Sequence, residues 1–447
     1  MTSASLLPRV RFAALALALL VAAGCSKATD EPESTDTSTP EVPSREIANT
    51  HAKAEDGLYD ALEVTTVKLA DGASKVSGSG AKAKGNVVTI SKAGTYVLSG
   101  SLSDGQVTVD TKDEGKVQVV LDGVDISSAS TSPLFIAAAD EAVVVLAGGT
   151  KNTLSDAAAA SADDEKPDAP TATLFSADDL TIAGTGALTV NGKSNDGIAS
   201  KNGLVILAGT ITVDAVDEGI SGKDYLVVDD GTLSVTAGGD GLKSNEDTPG
   251  ELGWMRFDRG TATIDAVSDG MAAEGAITVT GGSVDVAKSE GGLQAPVITV
   301  SGGTVSVTAT NDGIKASRDT APGAPKVVQD GVGLTVSGGT VAIDAGGDGI
   351  DSKGTVTVTG GVVTIGQIGK NTIDALGATK TPDAVTLSLG TPGKVELKDT
   401  EGGVVASFTA AKAGSRLLVA KGITAGETYT VSVDGKDAGT VTATARS

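Results

Sequence analysis

From about residue 195 onward, apolar and polar positions alternate in short runs, as in Thr210-Ile211-Thr212-Val213, Thr232-Leu233-Ser234-Val235 and Thr304-Val305-Ser306-Val307. A period of two in Val, Ile and Thr predicts half-buried strands of four to six residues. A glycine opens each run: Gly209, Gly231, Gly260, Gly282, Gly303, Gly339 and Gly361. Between these runs stand acid-glycine pairs beginning at Asp196, Glu218, Asp240, Asp269, Glu290, Asp312 and Asp348. The step from acid to strand glycine is 13 residues in five cases, and the return step is nine, or eight once. A unit of about 22 residues cannot bury its own apolar face, so neighbouring units must stack. The pattern predicts an all-β parallel β-helix of 22-residue coils, right-handed by the general rule for parallel crossovers. Ile198, Ile220, Leu242, Met271, Leu293, Ile314 and Ile350 follow the acid-glycine corners and are expected to form one inward column.

Earlier runs such as Val87–Ile90, Val117–Leu121 and Val143–Leu146 read as less regular coils, which places the helical domain at residues 58–381. Residues 382–447 lose the 22-residue register and read as a small β cap over an otherwise open strand edge. At the other end, Arg9 and Arg11 precede an apolar run from Phe12 to Ala23 that is too short to span a bilayer. The run ends in Ala22-Ala23-Gly24-Cys25, the form of a lipoprotein signal, with Ala22 where such signals usually carry Leu. Residues 1–24 are therefore expected to be a signal peptide and Cys25 a lipidated N-terminus holding the protein outside the cytoplasm, on the cell membrane. Residues 25–57, rich in Ser, Thr, Pro and acids, read as a disordered tether. The sole histidine, His51, falls near its end and is expected to be inert.

One Cys and one His exclude a disulfide and a Cys/His zinc site. A formal charge of −23 argues against a nucleic-acid partner. The chemistry is expected where coil-by-coil alignment stacks the acids. At about 4.8 Å spacing and an effective dielectric near 20, each neighbouring pair of carboxylates costs about 3.5 kcal/mol. Lys201, Lys223, Lys243, Lys315 and Lys353 follow their acids closely enough to offset some of this. The coils of Asp269 and Glu290 have no such lysine, and Glu274 adds another acid. The resulting oxygen-rich patch, Asp240, Asn245, Asp269, Glu274 and Glu290, suits a hard cation, and Ca²⁺ is the expected ion. A second acid set, Asp214, Asp265 and Asp344, is the alternative.

Two insertions, between Asp240 and Gly260 and between Asp312 and Gly339, leave the coils at the same corner and are expected to wall a groove beside the acids. A third loop spans Ser155 to Thr173. The only tryptophan, Trp254, falls in the first insertion, and its ring could stack on a sugar or simply pack the loop. Arg256, Arg259 and Arg318 are placed to pair with uronate carboxylates.

The strings Asp312-Gly313-Ile314-Lys315, Gly239-Asp240-Gly241-Leu242-Lys243-Ser244 and Ser301-Gly302-Gly303-Thr304-Val305 resemble a bacterial family of carbohydrate-binding proteins. So do Gly94-Thr95-Tyr96-Val97-Leu98-Ser99-Gly100 and Leu121-Asp122-Gly123-Val124-Asp125-Ile126. The resemblance implies a calcium-bearing, pectate-lyase-like parallel β-helix that binds cellulose-like or acidic, pectin-type polysaccharide. It supplies no sugar-contacting residue. Three functions stay open. One is a monomeric, non-catalytic polysaccharide binder. Another is a lyase or hydrolase, with Lys223, Lys243 or Arg256 as base, or with paired carboxylates such as Asp240 and Asp269. The third is a structural adhesin.

Overall fold

The computed structural model describes residues 47–157, 170–246, 252–318, 327–367, 373–375 and 382–445. The signal segment, Cys25 and most of the expected tether lie outside the described residues, as do the centres of the three insertions. Among the described residues the chain is all β, in sheets of 24, 13 and four strands.

The pairing follows the sequence period. Asp196–Ser200, Gly203–Ile206 and Thr210–Ala215 form one unit. Ile220–Gly222, Tyr225–Val228 and Thr232–Ala237 form the next. Each strand pairs in parallel with its counterpart one unit later. The first strand of every unit belongs to the 13-stranded sheet, and the other two belong to the 24-stranded sheet. Residues about 22 apart in sequence are therefore brought to one strand spacing, about 4.8 Å.

Alternation decides which side chains go inside. Along Thr210–Ala215, Ile211, Val213 and Ala215 are buried and the residues between them exposed. The expected column is continuous: Ile198, Ile220, Leu242, Met271, Leu293, Ile314 and Ile350 are register partners in succession. All are essentially inaccessible. The two kinds of repeat glycine have different causes. Gly231 opens its strand with φ 122°, a conformation that disfavours any side chain. Gly219 permits a close approach instead, because a Cβ there would meet Val235 and lie 2.6 Å from the Gly241 carbonyl oxygen.

Three expectations change. Glu290 does not stand in the acid column. Asp269 is the register partner of Gly291, and the Glu290 N–H bonds to the Ser268 carbonyl. Counting nine from Gly282 reaches Gly291, so the one eight-residue step already marked the displacement. Trp254 is not on a loop: Trp254–Phe257 is a strand in register with Tyr225–Val228 and Ala276–Val279. Residues 47–57, expected to be tether, pack on the outside of the large sheet, with Ile47 and Ala52 buried against Val120, Val143, Val145, Ala183, Val205 and Val227. Those strands are apolar on both faces, as in Leu204–Ile206, because this segment covers the outer one.

At the far end the parallel pattern stops at Val362–Gln367, whose edge pairs antiparallel with Gly414–Ala420. That strand also pairs with Val385–Leu389. Gly393–Lys398, Val404–Ala410, Thr428–Val433 and Lys436–Thr442 make the four-stranded sheet.

Candidate functional site

The acid-glycine corners are held by their own backbone. The N–H groups of Gly197, Gly219, Gly241 and Gly313 donate to the carbonyls of Glu218, Asp240, Asp269 and Asp348, one unit on. The carboxylates add to the ladder: Asp240 Oδ1 accepts from the Asp269 N–H at 3.0 Å, and Asp312 Oδ1 from the Asp348 N–H at 2.8 Å. The side chains at these corners therefore stand in one row.

Two neighbouring cavities open along this row. One, about 190 Å³, is lined by Asp240, Asn245, Asp269 and Glu274, together with Lys243 and Gln294. The other, about 230 Å³, is lined by Asp269, Glu290, Asn311, Asp312 and Lys315. Four of the five residues picked as cation ligands thus share a cavity, and Asp269 faces both. Burial, with Asp351 and Asp348 nearby, raises the Asp312 carboxyl above its ordinary value.

The lysines divide differently from expectation. Lys243 does sit in the row, paired with Glu218 and 3.1 Å from Asp240 Oδ2. Lys223 pairs with Glu246 at 2.9 Å and Lys353 with Asp351 at 2.6 Å. Lys315 donates to Gln294 at 3.1 Å, and the Lys201 ammonium lies 6.0 Å from the centre of the Phe175 ring. Burial alone would lower the Lys243 ammonium, but Glu218 and Asp240 outweigh it and hold the group above its ordinary value.

One acid group was missed. Oxygens of Asp196, Asp217 and Glu218 lie within 4.8 Å of one another, with Asp196 buried. Desolvation and the hydrogen bond with Glu218 push the Asp196 carboxyl up to about 8. It therefore holds its proton more tightly than an ordinary carboxyl does, and Lys243 with Asp196 holds the Glu218 carboxyl below its ordinary value against burial. The consecutive acids Asp217-Glu218 were the available signal, and the repeat count used only the second.

The alternative acid set lies on the outer face of another strand line, where Asp214 is the register partner of Thr236 and Thr236 that of Asp265. Asp214 pairs with Lys193, Asp265 lies 3.5 Å from Lys288, and Asp344 lies 3.4 Å from Arg416.

The aromatic candidate sits on the outer face of the large sheet. Trp254 stacks on Tyr225, with ring centroids 5.0 Å apart and planes 16° from parallel. The Arg256 guanidinium, two residues along on the same face, lies 5.8 Å from the indole centre. It also pairs with Asp258 at 2.8 Å and donates to the Ala48 carbonyl. Arg259 pairs with Asp229 at 2.5 Å. Arg318 donates to the Asp330 carbonyl at 2.8 Å. The sequence grouped these three arginines, whereas the structure gives only Arg256 to the Trp254 face.

Comparison with known proteins adds the following. A curated "Carbohydrate-binding domain-containing protein" of Acetivibrio thermocellus is 38% identical over 128 residues, covering 29% of this chain and 45% of that protein. The chain thus spans less than half the length of that relative. A solved structure described as a polysaccharide lyase-like protein from C. thermocellum, in a gadolinium derivative, is 29% identical. It covers 58% of this chain and 97% of its own, with a TM-score of 0.48. The family model "Carbohydrate-binding domain-containing protein" matches residues 84–297 and 292–444, so the chain belongs to that family.

Proposed function

We propose that the chain is a non-catalytic polysaccharide-binding lipoprotein, held outside the cytoplasm by a lipid on Cys25. Its repeats wind as a right-handed parallel β-helix of three strands per coil. The parallel pairing of each strand with the one a unit later supports this winding. The observation that carries the binding function is the family match across both halves of the folded region. The aromatic pair Trp254–Tyr225, flanked by Arg256, offers a sugar a flat face and a cation for an acidic or cellulose-like chain.

Calcium would be held by Asn245, Asp269, Glu274 and Glu290, with Asp240 at the margin. The donor set fits: all are oxygen ligands, suited to a hard cation, and they line adjoining cavities. Asp240 contributes least, because its two oxygens already accept from the Asp269 N–H and from Lys243. The ion would supply a fixed positive charge that relieves carboxylate repulsion and pairs with uronate groups.

The bases a lyase would use are each tied to an acid. Lys243 bridges Glu218 and Asp240, Lys223 meets Glu246, and Arg256 meets Asp258. For Lys243, Glu218 and Asp240 favour the charged form, which has no lone pair to take a proton. The test is a pull-down on cellulose and on polygalacturonate, with and without chelator, beside an assay for unsaturated product. Binding without product is the expected result. Product formation would replace this reading with a lyase, and binding to proteins but to no glycan would replace it with an adhesin.

A further inference from the structure

Residues 47–58 lie across the outer face of the large sheet and are fastened at several points. Gln118 Nε2 donates to the carbonyls of Asp56 and Leu58, at 2.9 and 2.8 Å. Asp56, fully buried, pairs with Lys116. Arg256 Nη1 donates to the Ala48 carbonyl at 2.8 Å. Between these points sits His51, 14% exposed. Its Nδ1 lies 2.7 Å from the Tyr225 hydroxyl and its Nε2 2.9 Å from the hydroxyl of the buried Thr181. The His51 backbone N–H also donates to the Tyr225 oxygen at 3.1 Å.

A neutral imidazole has one N–H and one lone pair. With a hydroxyl at each ring nitrogen, one of the two contacts must be accepted by the ring, whichever tautomer is present. A second proton abolishes that acceptor. The hydroxyl that was donating must then turn its hydrogen elsewhere, beside a ring only 14% exposed, and in the charged state two N–H groups of His51 converge on the Tyr225 oxygen.

We propose that segment 47–58 is a proton-operated clasp: neutral His51 locks it onto the sheet, and charged His51 releases it. Release would free 12 residues, up to about 40 Å of extended chain. It would also uncover an apolar face, Val143, Val145, Val205 and Val227, beside Tyr225 and Trp254.

The charged groups around the ring act in both directions. Burial lowers the imidazole below its ordinary value, while Asp179 at 3.6 Å, Asp56 and Glu141 oppose this in part. Lys116 neutralises Asp56 and Glu141, and Arg256 stands on the next strand. The net direction is downward, so the docked segment binds the proton more weakly than the free one. Docking is therefore strongest above the ordinary histidine value and weakens as pH falls below it.

The experiment is hydrogen exchange on the full chain near pH 7 and at about pH 5, corrected for intrinsic rates. Protection of amides 47–58 is expected to fall about tenfold, while strands Thr210–Ala215 and Thr304–Ala309 keep theirs. In His51→Gln, which hydrogen-bonds but does not titrate, protection should be the same at both pH values. Equal protection of the wild-type segment at both pH values, or a pH response surviving in H51Q, overturns the proposal. Trp254, the only tryptophan, gives a second readout. Its emission should shift in one step with a midpoint below the ordinary histidine value, and the step should be absent in H51Q. A midpoint in the carboxylate range would assign the change to Asp179 instead and overturn the clasp.

Discussion

The Tyr225 ring lies flat beneath the Trp254 ring, 5.0 Å centre to centre, because the two residues are register partners in adjacent parallel strands. Stacking fixes the indole and leaves its half-buried face over the sheet. If this face binds sugar, Trp254→Ala should weaken polysaccharide binding by about tenfold, the scale of one aromatic stacking interaction. Trp254→Phe should retain most of the affinity. Affinity electrophoresis on a soluble glycan measures both, and an unchanged Trp254→Ala would move the binding face elsewhere.

Burial on one side of the repeat strands should dominate stability. Ile220 sits fully buried between Ile198 and Leu242. Ile220→Ala should cost about 2–5 kcal/mol. Thr212, on an exposed position of the preceding unit, should tolerate Ala within about 0.5 kcal/mol. Denaturant unfolding distinguishes the two, and similar costs would contradict the assignment of inner and outer faces.

The raised Asp196 carboxyl predicts an unusual pH dependence. Its carboxyl is raised to about 8 in the folded chain, mainly by burial. The unfolded chain releases that proton near the ordinary carboxylate value, about 3.8. Between those values the folded state holds more protons than the unfolded one, so this contribution is full at low pH and is lost as pH rises towards 8. Asp196→Asn keeps a donor to Glu218 and removes the titration. The variant should gain stability over wild type as pH rises from about 5 to 8. Thermal melts at several pH values check this, and parallel curves for the two proteins would place the proton elsewhere.

Most of the repeat was legible because its causes are local. Glycine at a corner, alternation along a strand and a constant step together fix which residues share a column, as Ile198 through Ile350 show. The site was legible only where the count was regular. Glu290 was misplaced by one because a glycine, Gly291, occupies the column in that unit. Lys223 and Lys353 were assigned to column acids by sequence distance, but they reach Glu246 and Asp351. Side chains that long choose among several carboxylates by direction, which spacing does not encode. The segment around His51 was read as tether because its composition is polar. What orders it is an apolar face built from residues between Val120 and Val227, far along the chain, a long-range cause that local composition does not register.

The paired cavities make the calcium proposal separable into two sites. Asp269 faces both, Glu274 lines the first and Glu290 the second. A ligand present at 100 times its dissociation constant stabilises the folded state by about 2.7 kcal/mol, so saturating Ca²⁺ should raise the melting temperature measurably and chelator should reverse the rise. Asp269→Ala should abolish the effect wherever the ion binds. Glu274→Gln and Glu290→Gln should differ: the one that loses the calcium-dependent shift identifies the occupied cavity, and loss in both means one ion shared across Asp269. Calorimetric titration of the same variants gives the stoichiometry. If Asp269→Ala binds calcium as wild type does, the acids of this row are balanced by Lys243 and solvent alone, and the ion has no place here.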